Sequence, residues 1–117
     1  MTPLPGLFIT GTDTGVGKTH ITAEIIRALV RDGKRVGVCK PISSGGIDDA
    51  TSLMAALGER VELDLINPIR LSEPLAPPVA ARLAGVSLTL ADVLAATSQT
   101  IDRFRSTTDL MMIEGST

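Results

Sequence analysis

A chain of 117 residues, 44% hydrophobic and 21% charged, is long enough for one domain with a real core and too rich in apolar side chains to be disordered. Its formal net charge of -2 leaves no basic excess for a phosphate backbone, and two Phe without Tyr or Trp offer no platform for stacking bases, so no nucleic-acid partner is expected. No apolar stretch nears the ~20 residues that span a bilayer, and MTPLPGL lacks the basic start of a signal peptide; no membrane partner is expected, and the expected residence is cytoplasmic.

The first element is a short apolar strand, Leu7, Phe8 and Ile9, running into GTDTGVGKT, Gly11 to Thr19. Strand, glycine loop, Gly-Lys-Thr and helix is the order in which proteins hold a nucleotide triphosphate. Gly11, Gly15 and Gly17 let amide N–H groups converge on an anion at a helix N-terminus. Lys18 then reaches the β- and γ-phosphates, and the Thr19 hydroxyl is placed to ligate Mg²⁺. The strict pattern wants glycine where Thr12 stands, and the nearest is Gly11, so this loop is one residue longer than the standard form. The plain alternative is a flexible turn capping a helix.

The spacing predicts a helix over Lys18 to Asp32, with Ile21, Ile25 and Leu29 on a buried stripe, Ile26 beside it, and Gly33 as the stop. His20, the only histidine, has no second His or Cys at ligand spacing, so spacing gives it no metal role. A short buried strand follows from Arg35 to Lys40, where Pro41 forces a turn; Lys40 thus ends a strand. The single Cys39 reads as core. ISSGGID reads as a loop, and Asp49 to Leu57 as a helix with Leu53, Met54 and Leu57 inward, stopped by Gly58. Between Arg60 and Ala84, Pro68, Pro74, Pro77 and Pro78 interrupt the pattern, leaving only Val79 to Leu83 as a short helix. Thr89 and Asp92 form a capping pair for a helix to about Arg105, with Leu90, Val93, Leu94, Ile101 and Phe104 as its apolar face. Asp109 to Ile113 is an apolar strand closed by Glu114.

Strands alternating with helices predict an α/β fold of the P-loop NTPase kind, a mostly parallel sheet with helices on both faces and ligands at the strands' carboxyl ends. The phosphate loop, Lys40 and Glu114 all fall there. Lys40 is a cation able to stabilise a transferring phosphoryl group or a neighbouring carbamate, against the plain alternative of a solvated lysine. Asp49, near a helix start, either caps amides or binds Mg²⁺, and the residues alone leave both open. Glu114, after Leu110 to Ile113, has the Walker-B arrangement; with Thr19 and Asp49 it would complete an oxygen set for Mg²⁺. Ser44 lacks a histidine to activate it and is at most a hydrogen-bonding contact.

Taken in order, GTDTGVGKT, VGVCKPISSG, DDA, PLAPPVAA and MMIEG resemble dethiobiotin synthetase; similar loops occur in the cobyrinic and cobyric acid amide synthases. The resemblance implies an ATP- and Mg²⁺-dependent cyclo-ligase, homodimeric, that closes a ureido ring on 7,8-diaminononanoate with CO2 and releases ADP and phosphate. Carried over by position, Gly15, Val16, Gly17, Lys18, Thr19 and His20 hold the phosphates. Lys40 takes the active-site lysine's role together with Lys18, Ser44 contacts substrate, and Thr14 lies near its carbamate end. Thr19, Asp49 and Glu114 serve Mg²⁺, the last two also the nucleotide. Because the loop after Lys40 is shorter than in many members, Asp48 remains open against Asp49.

Family members run to nearly twice this length and continue the acidic motif as Glu-Gly-Ala-Gly-Gly, where this chain reads Glu114, Gly115, Ser116, Thr117. Residues 1–117 are therefore expected to be a single P-loop domain, the N-terminal half of a longer family domain. The alternatives are a related amide synthase of cobalamin synthesis and, from another class, a nucleotide-switched partner-binding ATPase of the ParA and MinD kind. Those proteins carry a lysine near the loop's start, where this chain has Asp13.

Overall fold

The computed structural model describes residues 4–10, 17–58, 61–73 and 76–115. Thr14, Gly15 and Val16 of the glycine loop lie outside the described residues. In chain order the elements are β1 (Gly6–Ile9), α1 (Lys18–Arg31), β2 (Val36–Cys39), β3 (Ile42–Ser44), α2 (Asp48–Leu57), α3 (Leu63–Ile66), β4 (Ile69–Leu71), α4 (Pro77–Leu83), α5 (Leu90–Phe104) and β5 (Leu110–Glu114).

The main sheet is parallel, in the order β1-β5-β2. Ile9 pairs with Glu114 and Cys39 with Ile113, so all three strands finish level with one another. Parallel strands need crossovers, and the helices that make them cover both faces. Alternation along the strands sorts the core: Val36, Val38 and Met112 meet Ala23 and Ile26 of α1 and Leu53, Ala56 and Leu57 of α2. Cys39 and Met111 face the other way, onto Ile66 of α3 and Phe104 of α5. Burying one such Ile or Leu contributes about 1.5–3 kcal/mol, so the two clusters hold both layers to the sheet. Gly37 lets α5 come close, since a Cβ there would stand 2.8 Å from Phe104 Cγ.

Several elements differ from the sequence expectation. ISSGGID contains β3, which pairs in parallel with β4 as a small second sheet. Three residues carry no readable period, and only the partner strand makes them a strand. The proline-rich stretch likewise holds α3, β4 and α4; α4 starts at Pro77, tolerated because first-turn amides have no partner inside the helix. Residue Asp48, not Asp49, opens α2.

The buried side of α1 is Lys18, Thr22, Ala23 and Ile26, while Ile21 is exposed and Ile25 and Leu29 lie half-buried at the margin. Small residues at 22 and 23 let the helix sit close to the layer below, and the bulkier stripe is turned aside. In α5 the capping box at Thr89 and Asp92 is present, yet Leu90 and Leu94 are exposed and burial falls on Thr100 and Phe104. Only the C-terminal part of α5 is packed under the sheet, because that is where Gly37 admits Phe104.

Candidate functional site

α1 starts from Gly17, whose φ of 77° is a conformation glycine adopts without steric cost. The first-turn N–H groups have no intrahelical acceptor, and no acidic side chain sits in that turn. The positive end of the helix dipole therefore meets no carboxylate from its own first turn. Lys18 and Thr19 leave from this end, Lys18 being only 8% exposed.

Glu114 closes the central strand and is fully buried. Its Oε1 accepts a hydrogen bond from Thr19 Oγ1 at 2.5 Å and another from Lys40 Nζ at 3.3 Å. Lys40, the residue after β2, is 4% exposed, and its Nζ also lies 3.9 Å from Asp49 Oδ2 on α2. One carboxylate thus ties the start of α1 to the ends of β2 and β5. Glu114 Oε2 is buried and has no hydrogen-bond partner among the described residues.

The charges are mutually felt. Burial, first, and then the Lys40 ammonium hold the Lys18 pKa below its ordinary value, while Glu114 and Asp49 pull it back up. The two ammonium groups are matched by the carboxylates of Glu114 and Asp49, and the start of α1, with first-turn N–H groups that lack an intrahelical acceptor, is the feature here that suits an anion.

Lys18, Thr19, Lys40, Asp49 and Glu114 come together in this way. Asp49 does not cap α2, whose N-cap is Ile47 with no side-chain hydrogen bond; it faces Lys40 instead, and Asp48 is exposed. His20 is exposed on α1. Ser44 ends β3 with its Oγ buried and without a hydrogen-bond partner among the described residues. Cys39 is in the core, its thiol pushed up to about 11 by burial despite a hydrogen bond with Thr100. Among the described residues no group of three or more His, Cys, Asp or Glu could hold a metal ion. The oxygens available here are those of Thr19, Glu114 and Asp49, a hard donor set.

Sequence reasoning passed over Asn67, whose Nδ2 donates to the Lys40 carbonyl oxygen at 2.7 Å. Its only signal was an Asn-Pro pair, which ordinarily marks a turn.

The family model described as an AAA domain matches residues 5–117. The ATP-dependent dethiobiotin synthetase of Methanocaldococcus jannaschii is 36% identical over 109 residues, 93% of this chain and 51% of that protein. The one from Marinobacter nauticus is 48% identical over 90 residues, 70% of this chain and 38% of its own length. The one from Thermodesulfovibrio yellowstonii is 35% identical over 118 residues, 94% of this chain and 48% of that protein. The chain spans about half the length of the curated relatives it matches. These matches bear out the resemblance read from the motifs and do not favour the ParA and MinD kind. With the family match running from the first described strand to the last, the chain belongs to this AAA domain family and is similar to the dethiobiotin synthetases.

Proposed function

We propose that this chain is the phosphate-holding part of an ATP-dependent cyclo-ligase that forms the ureido ring of dethiobiotin from 7,8-diaminononanoate and CO2, releasing ADP and phosphate. The observation that carries the reading is the meeting of Thr19 Oγ1 and Lys40 Nζ on one buried oxygen, Glu114 Oε1, at the start of α1. Relatives named for this activity, at 32–48% identity, support it.

In this reading the start of α1 and Lys18 hold the β- and γ-phosphates, together with Gly15, Val16 and Gly17 before the helix and His20 in its first turn. One substrate amine adds to CO2 and loses a proton to give a carbamate. A carbamate oxygen attacks the γ-phosphorus and ADP leaves; the second amine then attacks the carbonyl carbon and phosphate leaves. Lys40 stabilises negative charge on the carbamate and on the phosphoryl group in flight, its ammonium already desolvated so that little reorganisation is needed. Ser44 and Thr14 contact the substrate.

Mg²⁺ fits the residues present. The unpartnered Glu114 Oε2, the Thr19 hydroxyl and the Asp49 carboxylate are oxygen donors of the type it takes, with phosphate oxygens and water completing its shell. When bound, it neutralises charge on the β- and γ-phosphates. The working protein is read as a cytoplasmic homodimer, and no helix among the described residues is long and apolar enough to cross a membrane.

The test is incubation with diaminononanoate, bicarbonate, Mg²⁺ and ATP, followed by mass detection of dethiobiotin, with calorimetric titration of MgATP beside it. MgATP binding and product together uphold the reading. Absence of MgATP binding ends it.

A further inference from the structure

The main chain at Lys40 is held by an arrangement that a regular sheet does not provide. β3 and β4 pair with Ile42 opposite Ile69, Ser43 opposite Arg70 and Ser44 opposite Leu71. Carried back one residue, the same offset sets Pro41 against Pro68, and neither ring nitrogen bears a hydrogen. One residue further back, the Lys40 N–H donates to the Ile66 carbonyl at 2.7 Å. That bond is out of phase with the β3–β4 ladder, which bonds through Ile69 and Leu71, so the Lys40 carbonyl gains no donor from it, and Pro68 has no N–H to offer.

Asn67 supplies the missing donor. Its Nδ2 donates to the Lys40 carbonyl oxygen at 2.7 Å, its Oδ1 accepts from Ser43 Oγ at 2.9 Å, and its own N–H donates to the Leu63 carbonyl at 2.8 Å. The residue is fully buried, so these bonds face no competition from water. A carbonyl oxygen can only accept, which settles the orientation of the amide, and the Ser43 hydroxyl holds its other end. Beyond the two prolines the β3–β4 ladder begins, with the Ile69 N–H donating to the Pro41 carbonyl at 3.0 Å and the Gly45 N–H to the Leu71 carbonyl at 2.8 Å.

We infer that Asn67 is a positioning residue for Lys40: by holding the carbonyl that Pro68 cannot reach, its amide sets the direction in which the Lys40 side chain leaves β2 and brings Nζ to Glu114. Asn67 acts through Lys40. The inference rests on the reading of Lys40 as the active-site cation. It also explains why a buried asparagine belongs beside two prolines, where an apolar side chain would leave the Lys40 carbonyl without a donor.

The experiment uses ¹⁵N-labelled protein without nucleotide and NMR spectra tuned to lysine ammonium groups, in which an ammonium protected by burial and hydrogen bonding gives its own cross-peak. The Lys40 peak is the one lost in Lys40→Gln. In Asn67→Leu that peak is expected to vanish or move to the position of solvated lysines, while backbone amides of α1 and α2 keep their shifts. An unmoved peak in folded Asn67→Leu overturns the inference, as does a wild-type protein with no protected Lys40 peak. Should Asn67→Leu not fold, Ser43→Ala decides: it loosens one end of the amide, and a smaller displacement in the same direction supports the inference while no displacement overturns it. MgATP titration is run separately. Its failure sinks the proposed function and leaves the ammonium readout standing, so the two are told apart.

Discussion

Lys40 Nζ lies 3.3 Å from Glu114 Oε1, and this contact joins the finishing ends of two neighbouring parallel strands, β2 and β5, in a place closed to water. Each charge makes the other's burial tolerable. A carboxylate at 0% exposure and an ammonium at 4% would be unfavourable without the pairing.

Removing one partner should therefore be worse for the fold than its small number of contacts suggests. Lys40→Met leaves Glu114 with the Thr19 bond and a buried charge, and is expected to cost about 3–5 kcal/mol at most, moderated by that bond. The double variant Lys40→Met/Glu114→Leu should recover much of the loss. Urea unfolding of the single and double variants checks this; a double variant no more stable than the worse single would refute the pairing. In the milder Lys40→Gln, MgATP affinity is expected to persist while substrate-dependent phosphate release disappears.

Lys18 should trade stability for binding. Its pKa is lowered, chiefly by burial and then by Lys40, so the folded state disfavours its charged form relative to the unfolded chain. A depressed lysine penalises folding at every pH below its folded value, and the penalty fades as pH rises through that value towards 10.5. Lys18→Met is thus expected to raise Tm of the nucleotide-free protein at pH 7, with the gap over wild type narrowing as pH rises through that lowered value. The same variant should bind MgATP at least about tenfold more weakly, since a charge-assisted bond to phosphate is worth more than 1.4 kcal/mol. Melting curves across pH and a calorimetric titration read both; equal MgATP affinity would refute the assignment of the loop.

Gly37→Ala should destabilise by about 1–3 kcal/mol through overpacking, because its Cβ would press on Phe104 and Met111 where α5 crosses the sheet. Adding Phe104→Leu should relieve part of that loss. Chemical denaturation of wild type and the two variants decides, and a Gly37→Ala protein as stable as wild type would show that α5 can retreat freely.

Arg35 and Asp109 form an exposed pair in which both the Arg35 side chain and its backbone N–H donate to Asp109, holding its carboxyl below the usual range. A depressed carboxyl contributes stability that is present above the unfolded value of 3.8 and is lost as pH falls through the folded one. Asp109→Asn should therefore match wild type most closely in strong acid and fall behind it above about pH 4. Tm measured from pH 2 to 6 tests the sign.

Local patterns were enough for the long elements. Gly33 after a periodic run marked the end of α1, the Thr89 and Asp92 pair marked the start of α5, and apolar runs closed by Lys40 and Glu114 marked β2 and β5. They were not enough for β3 and β4, whose three residues each become strands only by pairing with one another, nor for the buried face of α1, which small residues rather than bulky ones occupy.

What the sequence by itself determined is the alternation of strand and helix, the glycine-led start of α1, and the placing of one lysine and one glutamate at strand ends. Those follow from φ preferences, capping and hydrophobic period, which act over a few residues. The tertiary structure alone decided that β5 lies between β1 and β2, and hence that Glu114, far along the chain from Thr19 and Lys40, meets both on one oxygen. Strand order is set by which faces can be buried together, and that is a property of the whole chain.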